Sequence, residues 1–92
     1  NLLNVRIVSP RETLFEGQAE SISSVNSVGA FDILPEHAKF ITVVENNPLL
    51  LCLPGNVEKE FKFGLAIVHA YEGKVVVYVE PQEAVSSLDK SM

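Results

Sequence analysis

Glycine, proline and asparagine punctuate this chain at short intervals, and the segments between them are short, apolar and rich in β-branched residues. Eighteen of the 92 residues are Val or Ile. Branching at Cβ stiffens χ1 and suits a pleated surface better than a helix. Short strands between closely spaced turns point to a sandwich or barrel, and a chain of this length holds one such domain.

Leu3, Val5 and Ile7 alternate with Asn4 and Arg6, as in a half-buried strand. Ser9-Pro10 ends it, because proline has no N–H to give the ladder. Leu14-Phe15 makes a short second piece closed by Gly17, and Ala19 to Val25 alternates again with Ile22 and Val25 as its larger apolar members. Asn26-Ser27-Val28-Gly29 is a loop, Phe31 to Leu34 a short strand stopped by Pro35, and Lys39 to Val44 the next strand. Asn46-Asn47-Pro48 is a turn cluster. Leu49 to Leu53 is a continuous apolar run, as expected of a strand covered on both faces. Pro54-Gly55-Asn56 predicts a hairpin into a strand whose Glu58, Glu60 and Lys62 form a solvated face that protects an edge. Leu65 to Ala70 and Val75 to Val79 flank a tight turn at Glu72-Gly73-Lys74. The expectation is an all-β domain over residues 1–81, a small sandwich or flattened barrel of nine or ten short antiparallel strands. Residues 82–92 form a tail in which Ala84, Leu88 and Met92 fall four apart, on one side of a helix too short to stand alone. It is expected to be frayed or to begin a missing helical region.

The chemistry of the chain excludes several classes of function. A net charge of −5, with no two basic residues adjacent, argues against nucleic acid, whose phosphates need clustered Lys and Arg. The five glycines are isolated and form no phosphate-binding loop. Two histidines and one cysteine offer no metal-ligand spacing, so no metal and no cofactor are expected. His37 sits in a turn, and His69 shares a strand side with Leu65 and Ile67, as a hydrogen-bonded, partly buried histidine would. No serine lies in a Gly-x-Ser-x-Gly elbow. Cys52, inside an apolar run, is expected to be a buried structural thiol. No apolar run approaches the ~20 residues of a membrane span, and no basic-then-apolar leader opens the chain. Apolar strand surface is in excess for so short a chain: either one core absorbs it, or part lies on a face that another protein covers.

Gly29-Ala30-Phe31-Asp32-Ile33-Leu34-Pro35-Glu36-His37-Ala38 resembles the central motif of the epsilon subunit of F-type ATP synthases, called delta in mitochondria. Val8-Ser9-Pro10, followed by Leu14-Phe15 and Gly17, is similar to that family's opening, and Phe63-Gly64-Leu65-Ala66 to a later strand start. The chain departs from the pattern at Asp32, Lys39 and Phe63, where the family usually has glycine, proline and glycine. The family's C-terminal pair of helices is expected to be missing or reduced to the tail after Pro81. The resemblance covers about residues 3 to 80. It implies a non-catalytic rotor subunit of the central stalk, coupling ion flow to ATP synthesis, on the cytoplasmic face of the bacterial inner membrane (matrix or stromal side in an organelle). Carried over by position, Ser9, His37, Ala38 and Thr42 would face the gamma subunit. Ser27, Val28, Gly29 and Ala30 would face the membrane c ring, and Phe31, Leu34 and Pro35 would shape the motif. Membrane contact would come only through the complex. A stand-alone epsilon-like binding module and a small β-scaffold enzyme are the alternatives. The module predicts a polar surface beside His37 and Thr42, and the enzyme a deep pocket.

Overall fold

The computed structural model describes residues 1–36 and 39–80, and these build nine strands and no helix. In chain order they are β1 (Leu3–Val8), β2 (Thr13–Ala19), β3 (Ser21–Val25), β4 (Ala30–Ile33), β5 (Phe40–Glu45), β6 (Pro48–Leu53), β7 (Val57–Lys62), β8 (Leu65–Tyr71) and β9 (Lys74–Val79). Two sheets stack face to face: a five-stranded one in the order β2-β1-β9-β8-β5 and a four-stranded one in the order β4-β3-β6-β7. The expected tail, residues 82–92, lies outside the described residues.

Alternation decides what each strand buries. Leu3, Val5 and Ile7 of β1, Val75, Val77 and Val79 of β9, and Ala66, Val68 and Ala70 of β8 point inward from the larger sheet. Ile22, Ile33, Leu49 and Leu51 meet them from the smaller one. The small side chains on β8 lie between the larger residues of its neighbours, which lets the two layers interdigitate. Aromatic residues pack at the margins of this core. Phe31 and Phe40 lie 5.4 Å apart between β4 and β5. Phe15 meets Phe61 edge to face at 5.7 Å between β2 and β7, and Phe61 stacks on Phe63. Lys59 lays its ammonium over the Phe15 ring at 5.7 Å.

Several expectations need correction. Pairing is antiparallel except between β1 and β9, which run parallel from Asn4↔Lys74 to Val8↔Tyr78. A parallel pair needs a long crossover, and here nearly the whole domain connects the two strands. Gly17 does not close β2: it pairs with Val5 inside the ladder, where a Cβ would come within 3.2 Å of the Phe15 ring. Its missing side chain gives that ring its seat. On β3 the inward places fall to Ile22 and Ser24, because alternation from Ile22 selects even positions, and Val25 is exposed. The Ser24 hydroxyl is satisfied by donating to the Pro48 carbonyl at 2.8 Å. Finally, β6 is covered on one face only: Leu49 and Leu51 are buried, while Leu50 points to solvent.

Two corners fix this arrangement. Between β2 and β3 the chain crosses from one sheet to the other, and Glu20 N–H donates to the Cys52 carbonyl at 2.6 Å there. Between β8 and β9, Glu72 (φ 49°) and Gly73 (φ 77°) make a two-residue turn with both central residues at positive φ, which matches the natural strand twist. Strand β7 is the edge predicted from its charges, with Glu58, Glu60 and Lys62 all exposed. Cys52 is half-buried rather than buried, on the outer side of β6. Partial desolvation, and secondarily the nearby Glu20 carboxylate, push its thiol above the ordinary value. Raised in this way, it is a poor nucleophile.

Ile22→Ala is expected to lower unfolding free energy by about 2–5 kcal/mol, as for other buried Ile truncations. Leu50→Ala, on the outer side of the neighbouring strand, is expected to cost less than about 1 kcal/mol. Urea denaturation of both variants checks the inward and outward assignment.

Candidate functional site

The ladders align side chains on the outer face of the larger sheet into rows that cross the strands. One row is apolar throughout: Val8 pairs with Tyr78, Tyr78 with Ile67, and Ile67 with Val43. The adjacent row runs Arg6, Val76, His69, Ile41. Ile41 is 66% exposed, Tyr78 50% and Ile67 41%. Such contiguous exposed apolar surface marks a place for a partner, whereas scattered single residues would not. The outer face of the smaller sheet is different: Ser21, Ser23, Asp32, Glu58 and Glu60 dominate it, and Ser23 donates to Asp32 at 2.5 Å.

His69 belongs to this apolar face. It is half-buried, as the sequence predicts, but its contact is a tilted ring pair with Tyr71 at 4.7 Å. A depression on the same side, about 480 Å³, lies beside Tyr71 between β1, β2 and β9. Arg6 and Lys74 stand on its walls with Glu16. Among the described residues, no three His, Cys, Asp or Glu side chains gather closely enough to hold a metal ion.

A second feature is the hairpin between β3 and β4. Asn26 and Gly29 exchange backbone hydrogen bonds at 3.0 and 3.2 Å, which leaves Ser27 and Val28 at the tip. The Asn26 side chain holds the turn from inside: its Oδ1 accepts from Val28 N–H at 2.9 Å and Gly29 N–H at 3.1 Å. Its Nδ2 donates to Thr42 Oγ1 at 2.9 Å, tying the hairpin to the other sheet. Gly29 has φ 144°, a conformation that side-chain-bearing residues rarely adopt. The result is a braced finger with Val28 93% exposed at its end.

The positions marked by resemblance fall into several places. Ser27, Val28, Gly29 and Ala30 are together on this finger. Thr42 faces inward, in the bond to Asn26, while its neighbours Ile41 and Val43 face out. Ser9 closes the turn after β1, its Oγ accepting from Glu12 N–H at 3.3 Å and Arg11 N–H at 3.4 Å. Its strand end, next to Tyr78, is at the margin of the apolar row. His37 and Ala38 lie outside the described residues. Phe31 packs on the core and Pro35 is half-buried, whereas Leu34 is exposed and Ile33 takes the buried place beside it. The excess of apolar strand surface noted in the sequence is placed here, in a row that the residues alone did not define: β5, β8 and β9 carry apolar residues at both parities, so that each offers a hydrophobic side to the core and another to solvent.

The family profile described as "ATP synthase, Delta/Epsilon chain, beta-sandwich domain" matches residues 2–85. The ATP synthase epsilon chain of Clostridium novyi is 32% identical over 87 residues, which cover 94% of this chain and 66% of that one. That of Myxococcus xanthus is 30% identical, over 95% of this chain and 63% of its own. Among solved structures, a chain in the Euglena gracilis mitochondrial ATP synthase (OSCP/F1/c-ring) covers 97% of this chain at TM-score 0.80 and 11% identity, with 62% of its own length matched. One in the Tetrahymena thermophila mitochondrial ATP synthase central stalk and c-ring covers 86% at TM-score 0.72 and 14% identity, with 63% of its length matched. These two share the fold. The chain spans just under two thirds of the length of these relatives.

Asn26→Ala is expected to destabilise the domain by about 1–3 kcal/mol, since it removes the brace to Thr42 and the side-chain acceptor for Val28 N–H, while Gly29 N–H keeps the Asn26 carbonyl. Asn26→Asp keeps the acceptor for Val28 and Gly29 but not the donor to Thr42, so it is expected to cost less. Equal losses in thermal denaturation would show that the turn bonds contribute nothing.

Proposed function

The chain belongs to the delta/epsilon family of ATP synthase subunits, through that family's β-sandwich domain, and from this premise we propose that it is a non-catalytic rotor subunit of the central stalk. It binds the gamma subunit on one side and the membrane c ring at one end. The observation that carries this reading is the pairing of an exposed apolar sheet face with a braced, exposed hairpin tip on the same rigid sandwich. A subunit that transmits torque needs two separate contact surfaces on a body that does not deform, and a close-packed core supplies the stiffness.

In this reading the finger Ser27-Val28-Gly29-Ala30 touches the ring, and Val28 supplies an apolar tip. The gamma contact uses Ser9, His37, Ala38 and the strand that carries Thr42. Since Thr42 itself points inward, Ile41 and Val43 beside it make the direct contact, and Thr42 holds the finger in place relative to that strand. The subunit lies at the cytoplasmic face of the membrane and meets the membrane only through the complex.

Co-purification with the gamma subunit encoded in the same genome, with and without the c ring, tests this. The expected result is a stable complex at micromolar concentration with gamma alone, and tighter retention when the ring is present. A folded domain that captures neither would overturn the rotor reading in favour of a stand-alone module.

A further inference from the structure

The edge of a sheet presents unpaired N–H and C=O groups, which are a template for another strand. The sandwich has its edges at β2 and β5 in the larger sheet and at β4 and β7 in the smaller. Three of them are guarded. β7 carries Glu58, Lys59, Glu60 and Lys62. β4 is only four residues long, with Asp32 among them. β2 meets β1 through an irregular register at Ile7 and Val8, and it holds Glu16 and Gly17. β5 has none of these devices: Phe40-Ile41-Thr42-Val43-Val44 is uncharged and pairs with β8 in unbroken register. Just past it, Asn46 N–H donates to the Gly64 carbonyl at 3.0 Å. Alternation from that bond turns the backbone groups of Val44, Thr42 and Phe40 toward β8. Those of Ile41, Val43 and Glu45 are therefore directed to the open side, where the Glu45 carbonyl accepts from Asn47 Nδ2 at 3.1 Å. Exposed Lys39 precedes the apolar run and exposed Glu45 closes it.

We propose that β5 is a self-pairing edge, and that its occupant is the β5 strand of a second copy of this chain, antiparallel about a two-fold axis at Thr42. Opposite residues of an antiparallel pair share a face, so a register that keeps the faces continuous sets odd positions against odd and even against even. With Thr42 against Thr42, Ile41 lies opposite Val43 and Lys39 opposite Glu45, each twice by symmetry. The Ile41 and Val43 pairs use the backbone groups directed to the open side, and each such pair exchanges two hydrogen bonds. Their side chains, 66% and 46% exposed in the single chain, cover one another. The Lys39 and Glu45 pairs set opposite charges across the junction, and Thr42 keeps its inward bond to Asn26. Moving the centre to Ile41 or Val43 would set Lys39 against Val43 or Glu45 against Ile41, charged against apolar, so the sequence selects Thr42. Charge complementarity within one strand thus names its partner: run antiparallel, the segment from Lys39 to Glu45 matches itself. The junction is narrow and each copy has a net charge of −5, so the association is weak and reversible. Under the rotor reading β5 also lies on the gamma side, and self-pairing then belongs to the unassembled chain.

Sedimentation equilibrium and amide NMR of the full chain, by itself and over a range of concentrations, test this without gamma or the ring, so the rotor reading stands or falls separately. The expected result is a reversible dimer at submillimolar concentration. The amide resonances of Ile41 and Val43 are expected to move with concentration, and those of Lys59 and Glu60 on the β7 edge to stay. Glu45→Lys sets like charges against each other twice and is expected to weaken dimerisation about fivefold or more, although it lowers the overall repulsion between two acidic copies. Lys39→Glu is expected to weaken it at least as much, since it adds to that repulsion. The exchange Lys39→Glu with Glu45→Lys restores opposite charges in the same register and is expected to return the affinity to that of the wild-type chain. A wild-type chain that stays monomeric up to millimolar concentration would overturn the inference. A dimer indifferent to both single reversals, or one that the exchange fails to restore, would overturn it too, by placing the junction elsewhere.

Discussion

The parallel ladder between β1 and β9 is the contact on which the rest of the arrangement depends. It joins the first strand of the domain to the last, with Val5 opposite Val75 and Ile7 opposite Val77. Both pairs are buried, and they sit at the centre of the larger sheet between β2 and β8. A shift of one residue in this register would turn the inward valines outward and set polar Asn4 and Arg6 against the core. The same register makes Val8, Tyr78, Ile67 and Val43 a single row on the outside. Core and exposed apolar face are thus two consequences of one alignment.

The two outer faces differ in what they offer a partner. The core is complete without Ile41, Ile67 and Tyr78, which contribute little to folding while exposed. Their apolar area is gained back only when another surface covers it. The smaller sheet shows mostly serine and charged side chains outward, with Leu50 and Cys52 among them. The finger between β3 and β4 is held by Asn26 to Thr42 across the gap between the sheets, so its tip is fixed to β5 and hence to the apolar face. A load applied at Val28 reaches that face through a short bonded path rather than through a loose loop.

Much of the fold was legible in the sequence because strand formation and turns are local matters. The alternation of Leu3, Val5 and Ile7, the Pro54-Gly55-Asn56 and Glu72-Gly73 turns and the charged β7 edge each reflect neighbouring residues, and the structure places them as read. What the sequence did not reveal is set by contacts between distant segments. Nothing within β1 indicates a parallel partner some seventy residues later. Leu50 looks like core in its run of leucines, and only the position of β6 in a one-sided sheet turns it outward. The finger residues 26–29 were recognisable as a loop from composition, but the bond from Asn26 to Thr42 joins different sheets. Thr42 could be marked by resemblance, whereas its inward direction required the register of β5 against β8.

The most direct measurement is a cryo-EM reconstruction of this chain bound to its gamma subunit and c ring, at a resolution that shows side chains. The expected map has the nine-strand sandwich unchanged, gamma over Val43, Ile67 and Tyr78, and the tip at Val28 against the ring. A map with gamma seated on the Ser23 and Asp32 face, or with the finger turned away from the ring, would contradict the assignment of the two surfaces.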